Sequence, residues 1–255
     1  MIIETLSTFP DMYESVMGAS MMRIAQEKGI LDFKAHDLRD WTHDRHRTTD
    51  DDPYGGGQGL VMKCEPIFEA YDDIVAQGSA PYTIFLTPCG EPFDQGVATE
   101  LSEKDRLLFI CGHYEGIDER FIEECVDEEI SMGDFVLTGG EIPAMALADA
   151  VCRLVPGVLP DAECYEEESH WDGLLEYPQY SRPENWHGRH VPAILLSGNH
   201  QKVAEWRKKE SYKRTLRRRP DMMVSFDPSV LDKKGRIIYA AALEELQQED
   251  GAASD

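Results

Sequence analysis

The chain has 255 residues, 42% of them apolar, and a formal net charge of −24 from 25 Lys and Arg against 49 Asp and Glu. That length suits one large domain or a domain with a smaller companion, and the apolar content excludes a disordered chain. No run approaches the roughly 18 uninterrupted apolar residues a bilayer span needs, and the start, MIIETLSTFPDMYESV, lacks the basic n-region and small-residue exit of a secretory signal; the expectation is a cytoplasmic protein with no membrane partner.

In chain order, an apolar run at Ile2 to Leu6 precedes Pro10 and an amphipathic stretch, Asp11 to Lys28, closed by Gly29. Ile30–Leu38 reads as a strand and Arg39 to Gly59 as a long polar loop. A helix is expected from Pro66 to Ala76, with Glu65 beside its positive end. Tyr82–Thr87 and Leu107–Cys111 are short β-branched or aromatic runs bounded by Pro and Gly, the pattern of buried parallel strands. Asp94–Leu101 suits the crossover helix between them. Phe135–Leu137 is a further candidate strand, and Glu141–Val155 a helix ended by Pro156 and Gly157. Alternation of this kind argues for an α/β fold on a parallel sheet.

Residues 161–173 open with DAECYEEESHWD, acidic and aperiodic, which reads as a flexible interdomain linker. It separates residues 1–160 from a helical domain, 174–255. There one helix should run from about His200 to Leu216 and stop at Pro220. Another should open with Asp227 as N-cap and Pro228 at N1, run to about Gln247, and leave QEDGAASD frayed. The six cysteines, Cys64, Cys89, Cys111, Cys125, Cys152 and Cys164, form no CxxC pair. They read as buried thiols in a reducing compartment, with no zinc site and no metal ligands.

So acidic a chain is a poor generic binder of nucleic acid, because phosphate contacts need cations. The cations are not evenly spread, however. Nine of the 25 lie between Lys202 and Arg219, and one basic segment on an acidic body can still hold a polyanion.

Four glycine-rich segments follow strands or strand-like runs. DRHRTTDDDPYGGGQG (44–59) carries Gly55, Gly56, Gly57 and Gly59, which permit positive φ and close backbone approach. It lacks both the GxGxxG spacing of a dinucleotide fingerprint and the GK[ST] of a P-loop. His46, Arg47 and Asp50 just before the glycines suggest a polar, substrate-facing loop, against the plainer reading of a surface turn. LTPCGEPFDQG (86–96), CGHYEGIDER (111–120) and SMGDFVLTGGEIPA (131–144) lie where open α/β sheets bind ligands, beyond the carboxyl ends of strands. Together they point to one backbone-lined pocket.

With RLVPGVL, GLLEYPQYSRP and LLSGNH added, this set resembles the tRNA (guanine-N1)-methyltransferases of the SPOUT class, the TrmD family, from about Ile3 to Gln247. The resemblance implies a SPOUT-type trefoil-knotted α/β domain plus a small α-helical C-terminal domain. It also implies a homodimer with the active site at the subunit interface, and methyl transfer from S-adenosyl-L-methionine to N1 of the guanosine 3′ of the anticodon in tRNA. The cofactor is thus S-adenosyl-L-methionine, with the need for Mg2+ left open. By matching motif, its pocket comprises Thr87, Pro88, Cys89, Gly90, Gly112, Tyr114, Glu115, Gly116, Met132, Gly133, Asp134, Phe135, Val136, Leu137, Gly139, Gly140 and Pro143. His113 stands where the family often has Arg.

Guanine N1 carries a proton and is a poor nucleophile until it leaves, so a general base is required. Charge then gathers on O6, which needs a fixed cation or donor. The family places a carboxylate at the start of the C-terminal domain and an Arg at the end of the knotted one. The matching residues are Glu168, where the family has Asp, and Arg153; Glu167 and Asp172 are substitutes for the base. Substrate contacts are expected from His43, Arg45, His46, Asp50, Tyr54, Gly55, Gly59 and Ser197, and from Lys208, Lys213, Arg214 and Arg217 in the basic segment. The competing readings are a SPOUT enzyme acting on another RNA site, a catalytically silent RNA-binding dimer, and a phosphate-binding hydrolase built on the glycine loop. The last lacks a nucleophile–base pair.

Overall fold

A computed structural model describes residues 1–161, 163–166 and 168–252. Its contacts group into two compact units, Met1–Ala162 and Glu163–Asp255.

The first unit is built on five parallel strands: β1 (Ile2–Ser7), β2 (Asp32–Asp37), β3 (Tyr82–Pro92), β4 (Arg106–Cys111) and β5 (Glu128–Ser131), in the order β2-β1-β4-β3-β5. Its helices are α1 (Ser20–Glu27), α2 (Cys64–Ala76), α3 (Gln95–Ser102), α4 (Glu119–Cys125) and α5 (Glu141–Cys152). The central strand β4, RLLFIC, is buried at every position, as its unbroken apolar run predicts for a strand covered on both faces. Its one charge, Arg106, is fully engaged: Nε donates to Glu4 Oε2 at 2.6 Å, and the two Nη groups donate to the carbonyls of Ser79 and Ile74. Burial pushes the Glu4 carboxyl up, but hydrogen bonds from His36 and Arg106 outweigh it and hold the group below the usual carboxylate range.

The expected elements are largely present, with five differences. The Asp11–Lys28 stretch is broken: a 3-10 turn (Pro10–Tyr13) and one helical turn (Glu14–Met17) end at Gly18, and α1 restarts at Ser20 with φ +47°. A Cβ at Gly18 would fall 2.6 Å from the Glu14 carbonyl oxygen, so the chain turns where no side chain intervenes. Residues 135–137 form no strand; their side chains are exposed, and the fifth strand is Glu128–Ser131. Helix α4, capped by the Asp118 carboxylate on the Arg120 amide, falls in a stretch whose glutamates mask its short apolar stripe.

The fourth and fifth differences lie in the second unit, which holds α6 (His200–Arg218) and α7 (Lys233–Ala252) packed on a small core of Leu174, Tyr212 and Ala242. Asp227 caps only a 3-10 turn, Pro228–Val230, and α7 begins at Lys233. Of the tail expected to fray, residues 248–252 continue α7, where Glu245 and Glu249 pair with Lys209, Lys213 and Arg217 on α6, and residues 253–255 lie outside the described residues. Within 163–172, Tyr165 packs on Trp171 and Asp172 pairs with Lys208. Among the described residues no helix is long and apolar enough to cross a membrane.

Candidate active site

Three loops meet at the carboxyl ends of β3, β4 and β5. Strand β3 pairs with β5 on both sides of a bulge, Leu86 and Glu91 both facing Ile130, so residues 87–90 are expelled from the ladder. The bulge closes tightly. A side chain at Gly90 would overlap the backbone of Glu129 and Ile130. After β4 the chain turns through Tyr114 (φ +58°) and Gly116 (φ +118°), which brings the Gly116 amide onto the His113 carbonyl at 3.0 Å. The third loop, 132–140, is stitched to the second: Gly140 N donates to Gly112 O at 3.0 Å, and His113 bridges Gly139.

Between these loops lies a cavity of about 310 Å³. Of the residues expected to hold the cofactor, Thr87, Pro88, Cys89, Gly112, Tyr114, Glu115, Gly116, Met132, Phe135, Val136, Leu137, Gly139 and Pro143 line it. Gly90, Gly133, Asp134 and Gly140 do not. Gly90 and Gly140 hold loop to loop from behind: a Cβ at Gly140 would sit 2.7 Å from Cys111 Cα. The wall also includes Leu86, His113, Ile130, Ser131 and Thr138. Leu86, His113, Ser131 and Thr138 lie inside the glycine-rich segments read from the sequence but are not among the expected cofactor contacts; Ile130 and Phe85, which also lines the cavity, lie just before those segments.

A polar network lies behind the wall. Glu141, at the first position of α5 and 1% exposed, accepts from Ser7 Oγ at 2.5 Å; His113 Nε2 lies 2.9 and 2.8 Å from its two oxygens. Ser7 Oγ accepts from the Phe9 amide, and the Phe9 ring packs on the His113 ring at 4.9 Å. One buried carboxylate thus ties β1, the second loop and α5 together, at the helix end where negative charge is favoured. Nearby, Tyr13 OH meets Cys111 Sγ at 3.1 Å. Burial, with the Glu141 charge adding to it, pushes the Cys111 thiol well above its ordinary value.

The first glycine segment packs on the second. Glu115 N donates to Leu60 O, Met62 N to Gly116 O, and a side chain at Gly59 (φ +93°) would run into Glu115. Burial and then the adjacent Asp50 carboxylate raise the Tyr114 phenol above its ordinary value. Gly55, Gly56 and Gly57 all adopt positive φ with open space where a side chain would go, and Tyr54 is fully exposed beside them. His43 pairs with Glu69 at 2.7 Å, while Arg45 and His46 are exposed.

Arg153 stands at the C-cap of α5, half-buried. Glu168, in the second unit, is half-buried in a turn whose backbone bonds run Glu168 N to Tyr165 O and Trp171 N to Glu168 O. Of the substitutes, Asp172 pairs with Lys208, and Glu167 lies outside the described residues. Ser197 ends a 3-10 turn and donates to Ile194 O at 2.6 Å. The basic helix is extensively paired. Lys213 is 7% exposed and held by Glu245 at 3.0 Å and Glu249 at 2.8 Å, Arg217 pairs with Glu249, and Arg214 donates to the Glu176 carbonyl. Among the described residues no group of three or more His, Cys, Asp or Glu is arranged to hold a metal ion.

A parallel sheet whose strand ends feed glycine-rich loops into one cavity defines a ligand-binding α/β domain of the SPOUT methyltransferase kind. The family model described as tRNA (Guanine-1)-methyltransferase TrmD matches residues 1–225, and the chain belongs to that family. It is 51% identical over 234 residues to the tRNA (guanine-N(1)-)-methyltransferase of Geobacter sp. (strain M21), covering 92% of this chain and 94% of the relative. It is 55% identical over 223 residues to that of Carboxydothermus hydrogenoformans, covering 88% and 87%, and 52% identical over 224 residues to that of Chloroflexus aurantiacus, covering 88% of each.

Proposed function

We propose that the chain transfers a methyl group from S-adenosyl-L-methionine to N1 of a guanosine in tRNA, the one 3′ of the anticodon. The observation that carries this is the convergence of three glycine-rich loops on one cavity at the strand ends, in a chain of this family. At about 310 Å³ the cavity lies at the lower end of the range for small-molecule pockets. Its wall combines apolar side chains from Leu86, Ile130 and Leu137 with backbone groups bared by Gly112, Gly116 and Gly139. That mixture suits a ligand with a flat heterocycle and several polar edges. When bound, the cofactor supplies a sulfonium methyl that needs alignment more than acid assistance.

The chain's own residues have two further tasks. Glu168 is proposed to take the N1 proton, and Arg153 to stabilise the charge that collects on O6. His43, Arg45, His46, Asp50, Tyr54, Gly55 and Gly59 are proposed to meet the target nucleotide, and Ser197, Lys208, Lys213, Arg214 and Arg217 the rest of the tRNA; Lys213 would have to leave its carboxylate partners to do so. A trefoil knot, the division at residues 160–173 and a cytoplasmic site of action complete the proposal.

A homodimer with the site at its interface is part of the same reading. Phe9, Met12, Val16, Val136 and Ile142 are exposed in the first unit, and the Pro10–Tyr13 turn packs on α5, which carries Ile142. Apolar side chains gathered beside a pocket are what a second copy would cover.

The test is single-turnover methylation of a tRNA transcript by Glu168→Gln. Loss of about 10²- to 10⁴-fold in rate, with donor affinity kept, is expected of a missing general base. A rate near wild type would remove Glu168 from that role.

A further inference from the structure

The cations and aromatics of the second unit are distributed in a way the basic helix does not explain. On α6, Lys208, Lys209, Lys213 and Arg217 each pair with a carboxylate. Residues 180–191 are arranged otherwise. Asn185–Trp186 and Arg189–His190 form a short antiparallel hairpin turned by His187 (φ +52°) and Gly188 (φ +79°). Positive φ at both central residues is the turn that matches strand twist, and the Asn185 side chain fixes it by accepting from the Gly188 amide at 2.9 Å. The hairpin bounds a cavity of about 460 Å³ whose lining includes Tyr180, Arg182, Glu184, Trp186, Arg189 and His190.

Two features of this cavity are unusual. Among the described residues no carboxylate pairs with Arg182 or Arg189, and Glu184 is the only acid from Tyr180 to Val191 in a chain of net charge −24. Trp186 is 62% exposed, held edge-on by the His187 ring at 4.5 Å, where burial would otherwise be favoured. Planar guanidinium groups suit phosphate oxygens, and an exposed indole offers a stacking face to any base.

We infer that this hairpin is an RNA-docking surface, with Arg182 and Arg189 on the phosphodiester backbone and one unpaired base of the substrate stacked on Trp186. The inference rests on the proposed tRNA reading and adds to it a contact apart from the basic helix.

Trp186→Ala and the double variant Arg182→Gln, Arg189→Gln test it, since all three side chains are exposed and their loss leaves the core intact. Steady-state methylation of a tRNA transcript, binding against salt, and sedimentation are measured for each beside wild type. Trp186→Ala should raise KM for tRNA about tenfold, the size of one lost base stack. The double variant should flatten the slope of log K against log salt by roughly 1.5, as two lost phosphate contacts require. In both, kcat at saturating tRNA and donor affinity should stay at wild-type values. A KM within twofold of wild type for Trp186→Ala, together with a salt slope that the double variant leaves unchanged, would overturn the surface, as would an altered oligomeric state, which would make Trp186 a contact between protein copies. A wild-type protein that leaves tRNA unmethylated would instead end the parent reading and this one with it, and the wild-type reaction alone reveals that case.

Discussion

Gly140 illustrates how the absence of one side chain shapes the cavity. Its amide bonds to Gly112 O, and a Cβ would stand 2.7 Å from Cys111 Cα, a backbone atom that cannot move aside. Gly140→Ala should cost about 1 to 3 kcal/mol through overpacking and weaken donor binding about tenfold; calorimetric titration with S-adenosylhomocysteine and thermal unfolding check both. Cysteine reactivity gives a second view. Cys89 is exposed on the cavity wall, whereas burial pushes the Cys125 thiol up to about 11 and the Cys152 thiol up to about 12. N-ethylmaleimide at pH 8 should label the Cys89 peptide before those of Cys125 and Cys152, and S-adenosylhomocysteine should slow it. Labelling indifferent to that ligand would place the cofactor elsewhere. The glycine loops were legible in the sequence because glycine marks turns and close approaches wherever it falls. The tie of Ser7 and His113 to Glu141 was not, because Ser7 and Glu141 are 134 residues apart and nothing local distinguishes Glu141 from the chain's many other carboxylates.

Elements were legible where their pattern was apolar and misread where it was polar. Strand β4 is an unbroken apolar run and reads at once. Strand β5, Glu-Glu-Ile-Ser, buries only Ile130 and Ser131, so its alternation is too short to register. Phe135–Leu137 has the composition of a strand, but those side chains line the cavity and an exposed surface instead of a sheet. Pairing across α6 and α7 was likewise hidden, since a run of cations looks the same whether solvated or neutralised. It has a measurable consequence. Burial pushes the Glu245 carboxyl up and Lys209 and Lys213 more than reverse this; Lys213 and Arg217 lower Glu249. Carboxyls depressed in the folded state contribute stability that is full above the unfolded value of about 4.5 and fades as pH falls through the folded one. Glu249→Gln should therefore destabilise the second unit by only ~1 kcal/mol at pH 7, given its exposure. The gap to wild type should close as the pH drops below 4.5, followed by circular dichroism during heating.

At the scale of the whole molecule, the apolar residues beside the cavity and the acidic body make separate demands. In the proposed dimer the exposed Ile142 belongs to the covered apolar surface, so Ile142→Glu should shift sedimentation toward monomer with loss of activity; unchanged sedimentation and activity would contradict that interface. A net charge of −24 repels tRNA at long range, so association should be slow at low salt unless a local basic surface steers it. The most direct measurement is mass-spectrometric mapping of a tRNA transcript incubated with the protein and isotopically labelled S-adenosyl-L-methionine. One label at N1 of the guanosine 3′ of the anticodon, lost when that guanosine is replaced, is the expected result; unlabelled tRNA, or label at any other atom, would contradict it.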